Sequence, residues 1–170
     1  WDDVAEIRKM WDGKVILKGI LDADDARQAV NVGADAIVVS NHGGRQLDGA
    51  ASSIEALPAI VDAVGDKCEV WMDGGIRTGQ DVLRAVALGA KGTLIGRAFL
   101  YGLGAGGREG VTKVLEILHK ELDLTMALCG RSRLSEVDES ILLRETGEVV
   151  SRSPEGHAGR GVSEGRALRL

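Results

Sequence analysis

The chain has 170 residues, 44% of them hydrophobic and 28% charged, and a net charge of −5. That is enough chain for one domain with its own core, and the acidic balance excludes nucleic acid as the main partner, since no basic surplus is present to neutralise phosphates. No apolar run approaches the roughly 20 residues that span a bilayer, and Cys68 and Cys129 lie far apart without metal-ligand spacing, which suits a reduced, cytoplasmic protein without a disulfide framework or a bound metal.

The chain begins at Trp1 rather than Met and carries no signal or transit pattern, so a piece of a longer protein is expected. Residues 1–12 place Val4, Ile7, Met10 and Trp11 at helical spacing, which predicts a short amphipathic helix. Val15 to Ile20 reads as a strand with Lys18 near its end. Asp22 can cap the next helix, with Asp25 completing a capping-box-like pair. That helix is expected to run to about Val32, where Gly33 ends it. Ala36–Val39 is an apolar run typical of a buried parallel strand.

Ser52 or Ser53 can cap a helix over roughly 53–64, closed by Gly65. Pro58 is awkward inside it, because proline is tolerated in a first turn but kinks an interior, so a start later than Ser53 is expected. Glu69–Asp73 reads as a third strand, followed by a Gly-Gly turn. Thr78 then caps a fourth helix, with Asp81 at its third position and Gly89 at its end. Thr93–Ile95 is the fourth strand, with Gly96 and Arg97 at its carboxyl end.

These segments repeat. At one fixed displacement Gly19 falls on Gly75, Asp22 on Thr78, Asp25 on Asp81, Gly33-Ala34 on Gly89-Ala90 and Ser40 on Gly96. A βαβα unit present twice is how α/β barrels are assembled from similar parts; a doubly wound sheet would not need so regular a duplication. The expected fold is therefore α/β, about four units of a (β/α)8 barrel followed by carboxyl-terminal helices.

A longer helix is predicted from about Gly107 to Leu128, with an apolar stripe at Val111, Val114, Leu115, Leu118 and Leu122 and a C-cap at Gly130. Ser135 can cap one further short turn through Ser140. From residue 144 onward Gly, Ser, Arg and Glu mix without an apolar period, so residues 144–170 are expected to be a disordered tail in which His157 is inert.

The stretch Ser40-Asn41-His42-Gly43-Gly44-Arg45-Gln46-Leu47-Asp48 follows the second strand, at the edge where open α/β sheets and barrels bind ligands. An imidazole can move a proton near neutral pH, and a guanidinium can clamp a carboxylate with two hydrogen bonds. His42 and Arg45 thus suggest chemistry on a small acid. Taken alone, the pair could equally tie down a loop. Two further strand ends carry anion signals. Asp73-Gly74-Gly75-Ile76-Arg77 offers bare amides, a guanidinium and a helix amino end, and Gly96-Arg97 offers a second amide and guanidinium. Lys18 is either a lysine snorkelling at the sheet rim or a fixed cation facing a cofactor that becomes anionic.

These motifs together resemble the FMN-dependent α-hydroxy acid oxidoreductases, the family that includes L-lactate dehydrogenase, glycolate oxidase and mandelate dehydrogenase. The likeness runs from Trp1 to about Leu142 through VILKGI, SNHGGRQLD, DGGIRTGQDV, ALGA and GRAFLYGL. Its wording is nearest the bacterial L-lactate dehydrogenases. The resemblance implies a TIM barrel with FMN at its mouth, and oxidation of an L-2-hydroxy acid, L-lactate first, to the 2-oxo acid. It implies His42 as the base, Arg45 on the substrate carboxylate, and Lys18 beside the flavin ring with Ser40 close by. Asp73, Gly74, Gly75, Ile76, Arg77, Gly96 and Arg97 would hold the ribityl chain and phosphate. Hydride and carbanion routes both remain open, as does the electron acceptor, whether quinone, cytochrome or oxygen.

A closed barrel has eight strands and about 250 residues, so this chain supplies roughly half. The expectation is a catalytic half-site that needs its complement for activity and forms a homo-oligomer once completed. Any peripheral attachment to the inner membrane would come from regions outside this chain. The alternatives are a non-catalytic half-barrel that self-associates to cover its open edges, or a non-redox barrel that binds FMN or phosphate.

Overall fold

A computed structural model describes residues 1–143. The tail expected over 144–170, including His157, lies outside the described residues. Four strands, β1 (Ile16–Ile20), β2 (Ala36–Val39), β3 (Glu69–Asp73) and β4 (Gly92–Leu94), form one parallel sheet in the order β1-β2-β3-β4. Helices α1 (Asp2–Met10), α2 (Ala23–Asn31), α3 (Ser53–Val64), α4 (Gly79–Ala87) and α5 (Arg97–Leu128) alternate with them or flank them. This is the α/β arrangement of strand–helix units that the repeat predicts.

Alternation along the strands separates two faces. Ile37 and Val39 pair in register with Val70 and Met72, and all four are buried against Ala26, Ala29, Leu57 and Ile60 of the helices. The opposite face carries Ile16, Lys18, Val38, Trp71, Asp73 and Leu94. Val38 is buried because β2 is central, whereas Ile16 on the β1 edge is 51% exposed. The charged residues of interest therefore stand on the face opposite the helix-packed core of the described residues.

The duplication holds in three dimensions. Asp22 and Thr78 both cap nine-residue helices by accepting backbone N–H bonds, and both helices are followed by a glycine in the left-handed region, Gly33 at φ +88° and Gly89 at φ +100°. A side chain there would be strained, so glycine ends both helices. Thr78 and Asp81 form a reciprocal capping box. Asp22 instead accepts from Asp24 and Asp25 by itself, and no bond back from Asp25 completes a box among the described residues.

Several expectations are corrected. α3 starts at Ser53 despite Pro58, because the Ser52–Glu55 capping box fixes its first turn and outweighs the bond proline removes. The Ser52 hydrogen bonds also hold the Glu55 carboxyl below its ordinary range. Ser53 is not a cap but a buried residue facing the loop after β2. β4 is Gly92–Leu94, one residue earlier than expected. α5 begins at Arg97, not near Gly107, and is two helical segments joined at a kink, Gly106 and Gly107, whose backbone leaves the helical region. In its second segment Leu118 and Met126 are buried, while Leu115 is 50% exposed and lies off the stripe. Ser135 caps nothing: Asp138, not Ser135, accepts from the Ser140 N–H.

Candidate active site

Three parallel strands deliver polar side chains to one carboxyl edge. Lys18 comes from β1, Ser40 follows β2, and Asp73 ends β3. The Lys18 ammonium reaches across the middle strand, donating to Ser40 Oγ at 2.8 Å and pairing with Asp73 Oδ2 at 2.8 Å. A lysine has three N–H donors, so one remains for a ligand. The other Asp73 oxygen, Oδ1, is buried and has no partner. A buried acceptor without a donor costs free energy, and a hydroxyl or N–H placed there would recover it.

Ser40 is 2% exposed and its Oγ also accepts the His42 N–H at 3.1 Å. Past it the chain turns through a short 3-10 helix, His42–Gly44. His42 has φ +54°, the only left-handed non-glycine residue among those described. Two bonds secure the turn from the other side: Asn41 N–H donates to Ser53 Oγ at 3.1 Å, and Asn41 Oδ1 accepts from Gly43 N–H at 2.9 Å. The sequence marks Asn41 only as part of the motif and Ser53 only as a possible cap, and gives neither a role in the site. An Asn directly before a glycine is a turn-capping signal, but Ser53 is twelve residues away and becomes a partner only through the fold. His42 and Arg45 themselves are exposed.

Gly74 and Gly75 follow Asp73. A side chain at Gly74 would stand 3.0 Å from Ser53 Oγ and 3.2 Å from Asn41 Oδ1, so glycine lets the two loops close on each other. A cleft of about 260 Å³ runs between them, reached by Gly43, Gly44, Gly74, Gly75 and Arg97. The Arg97 guanidinium lies 3.5 Å from where a Gly43 side chain would begin. Arg97 thus meets the His42 loop although 55 residues of sequence separate Arg97 from His42.

The two helix amino ends differ. At α4 the Arg77 and Thr78 N–H groups both donate to Asp81 Oδ2, and the Gly79 N–H donates to Glu121 Oε2 at 2.9 Å from α5. Those amides are already satisfied by carboxylates, so the anion seat expected beyond Arg77 is closed. Ile76 is buried in the core and the Arg77 side chain is exposed. At α5 the N-cap is Gly96, with no side-chain hydrogen bond, and the first residue is Arg97. Open amides beside a guanidinium are an anion-binding arrangement. Among the described residues no group of three His, Cys, Asp or Glu side chains is placed to hold a metal ion, and no helix is long and apolar enough to cross a membrane.

The family pattern described as FMN-dependent dehydrogenase matches residues 1–144. The chain is 55% identical over 144 residues to an L-lactate dehydrogenase of Caulobacter sp., covering 85% of this chain and 38% of that protein. It is 56% identical over 147 residues to an L-lactate dehydrogenase of Pseudomonas putida, covering 86% and 39%. Among solved structures, mandelate oxidase with benzoyl-formic acid superposes with a TM-score of 0.78 at 51% identity, over 81% of this chain and 41% of that one. A mandelate oxidase variant carrying a monooxide FMN adduct gives a TM-score of 0.78 as well. The chain therefore spans about two-fifths of the length of these relatives.

Proposed function

The chain belongs to the FMN-dependent dehydrogenase family, and from that footing we propose that it forms the carboxyl-terminal part of a site that oxidises a small L-2-hydroxy acid, L-lactate first, to its 2-oxo acid with FMN. The observation that carries this reading is the meeting of Lys18, Ser40 and Asp73 at three adjacent strand ends, with His42 bonded to the same Ser40 oxygen.

The residues present fit FMN. Asp73 Oδ1 lacks a donor, and a ribityl hydroxyl is a donor of the right kind. Gly74 and Gly75 leave bare backbone along the cleft. The open amino end of α5 with Arg97 suits a phosphate, whereas the carboxylate-covered end of α4 does not. Lys18 keeps one N–H for the flavin ring, and Ser40 holds Lys18 in place. The cofactor set we assign is Lys18, Ser40, Asp73, Gly74, Gly75, Gly96 and Arg97, with Ile76 contributing backbone and Arg77 its exposed side chain. Bound FMN supplies the two-electron acceptor. His42 takes the substrate's proton on its imidazole, and Arg45 clamps the substrate carboxylate through two guanidinium hydrogen bonds. Lys18 provides a fixed positive charge where negative charge develops.

The test is a chimera in which residues 1–143 replace the matching segment of the Caulobacter L-lactate dehydrogenase. Bound flavin should bleach anaerobically on addition of L-lactate. A chimera that binds FMN but is bleached by no 2-hydroxy acid would overturn the reading.

A further inference from the structure

We propose that Ser40 is a positioning residue that ties the Lys18 ammonium to the His42 backbone, so that the fixed cation and the proton-accepting side chain are set by one oxygen. The inference rests on the roles assigned to Lys18 and His42 above.

A serine hydroxyl has two lone pairs and one O–H. Both lone pairs of Ser40 Oγ are engaged, one by Lys18 Nζ at 2.8 Å and one by the His42 N–H at 3.1 Å. At 2% exposure, water does not readily substitute for either donor. The Ser40 backbone is itself pinned, its N–H donating to Ile20 O at the end of β1. Asp73 Oδ2 fixes the far side of the ammonium. A continuous path, Asp73–Lys18–Ser40–His42, therefore crosses three strands.

His42 needs such support. Its φ of +54° is a conformation that L side chains rarely adopt, and such residues persist only where the surroundings over-determine them. The loop has two tethers. One runs through Asn41 to Ser53 and is uncharged. The other runs through Ser40 to the Lys18–Asp73 ion pair, so only this one transmits a change in charge near Lys18 to His42. Charged donors make shorter, stronger hydrogen bonds and polarise the acceptor they share, so the two bonds at Ser40 are coupled rather than independent.

The experiment uses the full chain without flavin, labelled with nitrogen-15, and follows the His42 amide with the Asn41 amide as internal control. Lys18→Met should shift the His42 amide and speed its hydrogen exchange several-fold while Asn41 stays unchanged. Lys18→Arg keeps a donor for Ser40 and should restore the parent behaviour. Ser40→Ala should move the His42 amide at least as far, and adding Lys18→Met to it should change nothing more. An unmoved His42 amide in Lys18→Met, or full additivity in the double variant, would overturn the coupling. If Ser40→Ala does not fold, the Lys18→Met and Lys18→Arg pair decides alone. Because no flavin is present, these outcomes are separate from the chimera's: an inactive chimera leaves the coupling standing, and an active one does not rescue it.

Discussion

Lys18 and Asp73 stand on strands separated by β2, yet Nζ and Oδ2 lie 2.8 Å apart. The pair is not a stability device. The lysine side chain is 43% exposed, so solvent screens the attraction, while the second carboxylate oxygen is buried without a donor. Asp73→Asn should therefore unfold within about 1 kcal/mol of the parent in urea. In the chimera the same change should weaken FMN binding by about tenfold or more, the worth of a charge-assisted hydrogen bond. Flavin fluorescence titration measures it. A variant that loses stability but keeps its affinity would show the pair to be structural.

Arg97→Ala should weaken FMN binding in the chimera by about tenfold to a hundredfold, since hydrogen bonds to charged groups contribute roughly 1.5–3 kcal/mol. It should leave the Lys18–Asp73 pair intact, because Arg97 lies against Gly43 and makes no bond to either partner. Riboflavin, which lacks the phosphate, should bind parent and variant equally. Equal loss for both ligands would remove Arg97 from the phosphate seat.

His42 combines a left-handed backbone with the base role proposed for it. Replacing it with glycine removes the side chain that makes φ +54° unfavourable, so His42→Gly should unfold no more readily than the parent and gain up to about 1 kcal/mol. The same substitution in the chimera should lower L-lactate turnover by about 10²- to 10⁴-fold, the usual contribution of a positioned acid or base. Urea denaturation and steady-state turnover separate the two effects.

The Ser52–Glu55 capping box gives α3 a pH-dependent start. Hydrogen bonds from Ser52 lower the Glu55 pKa in the folded chain, so its contribution is fully present above the unfolded value and is lost as pH falls through the folded one. Glu55→Gln should therefore be less stable than the parent at neutral pH. The gap should close in acid below the ordinary glutamate range. Ser52→Ala should cost about 1 kcal/mol at neutral pH, as lost N-caps do.

Gly79 is where α4 meets α5. A methyl group there would stand 2.1 Å from the Leu122 backbone nitrogen and 2.6 Å from the Leu118 carbonyl oxygen, neither of which can swing aside. Gly79→Ala should cost about 3 kcal/mol or more by overpacking, despite alanine's better helix propensity. Chemical denaturation reads this directly.

The elements were legible where their signals are local. Asp22, Thr78, Gly33 and Gly89 mark helix ends through bonds to neighbours a few residues away, and the strands announce themselves by apolar runs. The site was legible as residue types at strand ends. What sequence hid was set by distance. Glu121 covers the Gly79 amide from 42 residues away, closing a helix end that looked open. Lys18 finds Asp73 only because β1, β2 and β3 are parallel and adjacent. The start of α5 at Arg97 was missed because glycines interrupt the apolar period before Gly107; in the fold Gly102 and Gly110 meet face to face.

That last contact has a consequence for specificity. A β-carbon at Gly102 would fall 2.5 Å from the Gly110 oxygen, and one at Gly110 would fall 1.9 Å from the Gly102 oxygen. The two segments of α5 thus cross with no room for a single methyl, and their crossing sets the bearing of the first segment. The compass direction of that segment's uncapped amino end is written at two positions eight residues apart, five and thirteen residues beyond Arg97. A substitution at either would re-aim the segment's dipole without altering any group within reach of an anion. On the phosphate role proposed for the amino end of α5, drift at this crossing would change which anions that end favours while every residue around it stayed the same.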